Sequence, residues 1–376
     1  LIYLTYNDAP GGIYNSQVID VVKYLNAIQT KEKVKLVALI SIRNFKANKQ
    51  KIKSQLPQSI VVPMFPKAGL WRWNSIQLFF LCIFSSHKQI IARGAFATNL
   101  SLSLKKIGLI KKVVFDARGA YHAELTEYKV INDANVISQI KTIEDKAIQL
   151  SDYRLSVSEA LVKYWKVNYN YQSQNHVVIP CTLSANFIFE FPTSEELKEL
   201  KQKNNFSATD IILVYSGSSA GWQSFELLEE WLLTAFEKNA NLKLVMLTNH
   251  PPETSTFFDK YKERIITKWL QPNKVKDMLL LADYGLMYRE NTVTNQVASP
   301  VKFAEYLSCG LQIISSDNLG DFSDFVKTKN CGYVLPAQIN FKNIDYSTKK
   351  QNHNLAMQFL IKENYKTNYL KLLACE

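Results

Sequence analysis

Short apolar runs alternate with longer amphipathic stretches along the whole chain. In the first half the runs are Leu1–Tyr6, Val34–Ile42, Ile60–Met64, Gln89–Ala92, Val113–Phe115, Tyr153–Val157 and Val177–Ile179. In the second half they are Ile211–Tyr215, Leu242–Leu247, Ile265–Thr267, Tyr284–Met287, Gln312–Ser315 and Gly332–Leu335. Between them, Ser16–Gln29, Asn74–Phe84, Val136–Leu150, Glu226–Phe236, Lys274–Leu281 and Pro300–Cys309 carry helical spacing. Strand, helix and strand in repetition close as parallel sheets covered on both faces. With 376 residues the chain is too long for one core. The expected fold is therefore α/β, with two Rossmann-like doubly wound domains facing each other across a cleft. The expected bounds are 1–182, 183–352 and a terminal segment 353–376. In that segment a helix at Asn354–Leu373 would pack back on the first domain. Pro192-Thr193-Ser194-Glu195-Glu196 reads as a fresh helix start after the linker.

Charge separates the halves. Residues 1–184 hold 24 Lys and Arg against 11 Asp and Glu, whereas residues 185–376 hold 21 against 22. The whole excess lies in the first half, which is expected to face something anionic. No nucleic-acid-binding motif accompanies it, so nucleic acid is not an expected partner. Leu70-Trp71-Arg72-Trp73, the apolar run Leu78–Phe84 and Lys46, Lys49, Lys51 and Lys53 suit an anionic membrane surface. The alternative for the helix 74–84 is buried core. The longest apolar run is far below the roughly 20 residues of a membrane span. Five scattered cysteines without a CxxC pair argue against disulfides and zinc. No signal-peptide pattern is visible, so the expected location is cytoplasmic, with peripheral attachment at the inner leaflet.

Ligands of doubly wound sheets bind beyond the carboxyl ends of the strands, and four such loops carry unusual residues. Asn7-Asp8-Ala9-Pro10-Gly11-Gly12 offers backbone amides at a helix start. In Asp116-Ala117-Arg118-Gly119-Ala120-Tyr121-His122-Ala123-Glu124, Arg118 can clamp a phosphate, and His122 and Glu124 can exchange protons. The alternative is an Asp116–Arg118 pair that closes the loop. Tyr215 to Gln223 brings Gly217, Ser218, Trp222 and Gln223 to a strand end. The fourth loop opens Ser299-Pro300-Val301-Lys302-Phe303-Ala304-Glu305-Tyr306-Leu307-Ser308-Cys309-Gly310, with Ser299 as N-cap and Gly310 as the stop. Lys302 and Glu305 share a helix face, where a lysine can hold phosphate and a carboxylate can accept two ribose hydroxyls. The alternative is a solvated ion pair. No GxGxxG, P-loop or GxSxG motif occurs.

Ser299 to Ile314 is similar to the donor-binding helix and following strand of the retaining GT-B glycosyltransferases, family 4 branch. Ile143-Glu144-Asp145-Lys146-Ala147, Ser151-Asp152, Ser156-Val157-Ser158 and Val178-Ile179-Pro180-Cys181 resemble that family's closing segment of the N-terminal domain. Phe115-Asp116-Ala117-Arg118-Gly119 resembles bacterial polysaccharide transferases, and Gly11-Gly12 matches the family's glycine loop. The resemblance implies a nucleotide-sugar donor as substrate, no separate cofactor and no metal. It places Lys302 on the donor pyrophosphate, Glu305 on the ribose, Gly12 near the phosphate or donor sugar, and Arg118 on sugar or acceptor. The acceptor would be a saccharide or a lipid-linked saccharide, in cell-surface polysaccharide or glycoconjugate synthesis. Two departures stand out. Val297 occupies the place of the family's first glutamate, and the loop Ser216–Gln223 lacks the usual basic pair. Lys302 and Arg289, the latter just after Tyr284–Met287, are the candidates to supply the missing charge. A GT-B epimerase or phosphorylase and an inactive nucleotide-sugar-binding relative are the competing readings.

Overall fold

The computed structural model describes the chain except residues 30–32, 66–67, 84, 86, 129–132, 218–224, 250–254 and 375–376. Seven parallel strands form one sheet: β1 (Ile2–Tyr6), β2 (Lys35–Ile40), β3 (Ile60–Pro63), β4 (Gln89–Arg93), β5 (Lys112–Asp116), β6 (Tyr153–Ser156) and β7 (His176–Val178). Six more form a second: β8 (Ile211–Ser216), β9 (Leu242–Leu247), β10 (Ile265–Lys268), β11 (Tyr284–Met287), β12 (Gln312–Ser315) and β13 (Gly332–Val334). The inner strands are buried on both faces, as in β1, where all five residues are inaccessible. That double burial is why they read as unbroken apolar runs instead of alternating ones.

The first sheet has the order β3-β2-β1-β4-β5-β6-β7 and the second β10-β9-β8-β11-β12-β13. In both, the chain winds outward over three strands and then returns to the other side of the first. The register pairs Ile2 with both Lys35 and Ile90, and Leu213 with both Leu244 and Tyr284. The two switch points therefore lie between β1 and β4 and between β8 and β11. Loops leaving those strands diverge, and the crevice between them is where such sheets receive ligands.

The chain divides into two compact units, Leu1–Ser184 with Lys362–Glu376, and Ala185–Ile361. The expected boundaries at 182/183 and 352/353 thus move to 184/185 and 361/362. The expected single helix 354–373 is also broken. Tyr346–Phe359 stays in unit 2, a 3-10 turn follows at Lys362–Tyr365, and Lys366–Ala374 completes unit 1. No Gly or Pro marks this break. Lys362 is drawn inward to the Leu183 carbonyl (2.8 Å), and Tyr369 and Leu372 enter the core beside Leu25 and Val34. Thr193 opens the helix Ser194–Lys203 through a capping box with Glu196, as its sequence suggested.

Candidate functional site

In unit 2 the helix Val301–Ser308 starts without a side-chain cap. Ser299 does not serve as N-cap. Pro300 takes that position with an extended backbone, because its ring holds φ near the helical value while ψ stays open at 127°. The far end is closed by a Schellman motif: Leu311 N–H donates to the Tyr306 carbonyl (3.1 Å) and Gly310 N–H to that of Leu307 (3.0 Å). Gly310 has φ +84, and a Cβ there would come within 2.8 Å of the Lys349 carbonyl oxygen, so the position requires glycine twice over. One face of the helix is core, with Phe303 stacked on Phe322 at 4.0 Å.

Tyr306 ties this helix to the switch point. Its hydroxyl oxygen accepts the Ser216 amide at the end of β8 (2.8 Å). The ring passes over β11 only because residue 285 is glycine, where a Cβ would lie 2.3 Å from it. This arrangement was not among the expectations from the sequence. Its signal was a glycine inside the apolar strand Tyr284-Gly285-Leu286-Met287, which marks a close approach.

Lys302 and Glu305 lie half-buried on the remaining face. Among the described residues neither side chain has a hydrogen-bond or ion-pair partner, so the expected alternative of an i, i+3 pair is not formed. Burial without a partner pushes the Lys302 ammonium down to about 8, countered by Glu305 and reinforced by Arg289. Burial likewise pushes the Glu305 carboxyl up to about 7, with Lys302 opposing the shift. Between about 7 and about 8 both groups are mainly charged, and each titrates close to physiological pH because burial works against its charge.

Arg289 follows β11. Its amide donates to the Ser316 hydroxyl (3.1 Å) and its guanidinium to the Asn295 side-chain oxygen (3.2 Å). It lines a pocket of about 430 Å³ with Trp231, Tyr288, Asp317 and Pro336, at the carboxyl ends of β11, β12 and β13. Ser299 is buried nearby in the chain, and so is Val297, which closes the short helix Val293–Gln296 and contributes an apolar side chain where the family pattern has a carboxylate. Gly217 is buried and donates to the Leu247 carbonyl (3.3 Å). Ser218, Trp222 and Gln223 lie outside the described residues.

Unit 1 presents its own set of strand ends. After β1, Gly11 and Gly12 are exposed, and an added Cβ at either would meet nothing within 4 Å. A continuous helix begins at Gly12 and runs to Ile28 through a π segment at Asn15–Ile19, with no side-chain cap at Gly11. Its first amides are open to an anion. Asp116, at the end of β5, has no exposed surface. It accepts from the Tyr3 hydroxyl and from Arg118, whose Nε and Nη2 lie 2.8 and 3.0 Å from its two oxygens. The alternative of a closed Asp116–Arg118 pair is the one realised. Arg118 also reaches Gln17, in the π segment, at 3.4 Å. Asp8 and Arg93, at the ends of β1 and β4, form a second ion pair at 3.4 Å that the sequence analysis did not name. Burial raises the Asp8 carboxyl, with Arg93 opposing.

His122 and Glu124, expected as proton-exchanging groups, do not face each other. Both lie on the helix Tyr121–Glu127, and residues two apart on a helix point to different sides. That helix is capped from afar. Buried Glu144 accepts the amides of Tyr121 (2.8 Å) and His122 (3.0 Å) and the Tyr169 hydroxyl (2.7 Å). The carboxylate on the helix N-terminus gives the Glu144 segment a structural role. Burial lowers the His122 imidazole, with Lys141 adding to the shift.

No family model and no curated protein matches the chain. Solved structures do. HepE of Anabaena, in complex with UDP and glucose, superposes over 100% of both chains with TM-score 0.69 at 11% identity. Sucrose-phosphate synthase of Thermosynechococcus elongatus covers 100% of this chain and 99% of its own, with TM-score 0.67 at 11% identity. WaaB, a lipopolysaccharide outer core galactosyltransferase in its apo form, covers 100% and 99%, with TM-score 0.64 at 14% identity. The fold is GT-B. At these identities the likeness is one of fold, and the chemistry rests on the residues above.

Proposed function

We propose that this chain is a glycosyltransferase that moves a sugar from a nucleoside diphosphate donor to a hydroxyl of a saccharide or lipid-linked acceptor. The observation that carries the reading is the Lys302–Glu305 pair beside the β8/β11 switch point, which has no hydrogen-bond or ion-pair partner among the described residues. A desolvated ammonium without a counterion is matched by a diphosphate. A carboxyl raised by burial is matched by vicinal hydroxyls that donate to it, as those of a ribose do. Lys302, Arg289 and the uncapped start of the helix Val301–Ser308 would take up the charge that develops on the departing diphosphate. The chemistry would come from positioning and electrostatic stabilisation, with no metal required. Among the described residues of unit 2 no side chain stands out as a carboxylate nucleophile. Transfer with retention, assisted on one face by the leaving phosphate, is the mechanism we favour, in line with a family 4-like enzyme. In unit 1 the open amides after Gly11 and Gly12 offer an anion site. Arg118, held rigid by Asp116, directs its remaining donor capacity within that unit as a positioning residue. A cytoplasmic role in polysaccharide or glycoconjugate synthesis follows from the same reading.

One observation favours a second reading. Val297 is buried and apolar, so a carboxylate-dependent grip on the donor sugar is missing, as in a nucleotide-sugar-binding partner without turnover. A thermal-shift panel of nucleoside diphosphates and nucleotide sugars separates the outcomes. Stabilisation by one nucleotide, absent in Glu305→Ala, supports the donor site. Release of that nucleoside diphosphate only in the presence of an acceptor identifies the transferase. No shift with any nucleotide removes both readings.

A further inference from the structure

Unit 1 carries an apolar face that its own fold leaves uncovered. The helix Asn74–Ile83 follows β3 and turns Asn74, Leu78 and Cys82 into the core. On the opposite side stand Ile76, Phe80 and Ile83, 50%, 60% and 44% exposed, with Trp73 60% exposed in the turn before them. Phe65, two residues after β3, is 73% exposed. The outward face of a surface helix ordinarily carries polar residues; this helix has no charged side chain at all. A run of large apolar side chains on one helix face marks a docking surface.

The charge around it says what docks. From Lys33 to Phe115 the sequence holds fifteen Lys and Arg residues and not one Asp or Glu. Arg72 lies just before the exposed stripe and Lys88 just after it, and both are exposed. We propose that this face seats unit 1 on an anionic membrane surface. Trp73, Ile76, Phe80 and Ile83 enter the boundary between headgroups and acyl chains, while Arg72 and Lys88 meet lipid phosphates. A helix of this length cannot span a bilayer, so attachment is in plane and reversible. The proposal deepens the lipid-linked acceptor reading above and rests on it only for what the bound protein does there.

The test is co-sedimentation of the full chain with phosphatidylcholine vesicles, with and without phosphatidylglycerol, at low and high salt. Binding is expected on the anionic vesicles, weaker on the neutral ones and reduced by salt. The double variant Trp73→Ser, Phe80→Ser should lose roughly tenfold or more in affinity. Arg72→Gln and Lys88→Gln should each lose roughly fivefold. These side chains are exposed, so an unchanged melting temperature verifies that the variants fold. Absent vesicle binding, or equal binding by the double variant, overturns the proposal. A wild-type dimer that Phe80→Ser makes monomeric, without vesicle binding, assigns the face to a second copy and overturns it as well. Nucleoside diphosphate stabilisation measured on the same proteins keeps the readings apart. Its loss with vesicle binding intact removes only the donor site, and the converse removes only the membrane surface.

Discussion

Two charged clusters follow strands in this molecule, and they have opposite fates. After β5, Asp116 and Arg118 close on each other through both carboxylate oxygens, with Tyr3 sealing the back. In the helix after β11, Lys302 and Glu305 are one turn apart yet pair with nothing among the described residues. The first cluster has its charges paired, although Asp116 Oδ1 and Arg118 Nε touch without a hydrogen bond, and works as a brace. The second finds no partner among the described residues, and in the function proposed above it is the cluster kept for a ligand. Sequence spacing did not distinguish them; the difference is whether the backbone lets the charges meet.

The comparison can be broken in four ways. The largest effect is expected at the brace. Arg118→Ala leaves Asp116 buried and uncompensated, which should cost about 3–5 kcal/mol of stability, read by urea unfolding. At the ligand-side cluster the balance is reversed. Lys302→Ala should lower affinity for nucleoside diphosphates by about 1.5–3 kcal/mol, roughly 10- to 100-fold, without lowering the melting temperature. Titration calorimetry with the diphosphates tests this, and an unchanged affinity would place the phosphate elsewhere.

The third test is pH. Binding needs Glu305 ionised and Lys302 charged. Affinity should therefore be greatest between about 7 and about 8 and fall on either side. Glu305→Gln should remove the acid limb and leave the alkaline one. The smallest effect is on stability. The folded-state pKa of Glu305 is raised to about 7 from 4.5. Folding therefore holds its proton more tightly, and stability is lost as pH rises through that interval. Glu305→Gln should accordingly raise the melting temperature at pH 8 by about 2–4 °C, the size of a 1 kcal/mol change in a domain of this length. The gain should vanish near pH 4. A destabilised Glu305→Gln protein at pH 8 would mean that the carboxylate is already satisfied.

Every strand expected from the sequence is present, with ends shifted by a residue or so (two at the end of β2), and the inner ones were plainest because burial on both faces makes them apolar throughout. The turn chemistry of Thr193–Glu196 and Gly310 was equally readable, since each acts within a few residues. What escaped depends on distance along the chain. Asp8 meets Arg93, Tyr306 crosses Gly285 to reach Ser216, and Glu144 caps a helix that begins at Tyr121. Only the Gly285 crossing leaves a local trace, a glycine inside an apolar strand, and in every case the partner is brought in from far along the chain. Ser299 failed as a cap because the extended Pro300 carries the chain into the helix one residue later than the pattern suggested. The break near Lys362 escaped for a similar reason, as no Gly or Pro marks it and the Lys362 ammonium there bonds the distant Leu183 carbonyl.

That break has a consequence for how the molecule can be taken apart. Unit 2 is one uninterrupted stretch, 185–361, whereas unit 1 is stitched from both ends of the chain. The stretch closes on itself, since Phe189 and Phe191, at its start, pack against His353 near its finish. It behaves as a cassette set into a host. A message cut short after Ile361 would strip the host of Tyr369 and Leu372, opening its core, and leave the cassette whole with Lys302 and Glu305 in place. Damage at the carboxyl terminus would thus be felt in the half of the protein that the chain began with.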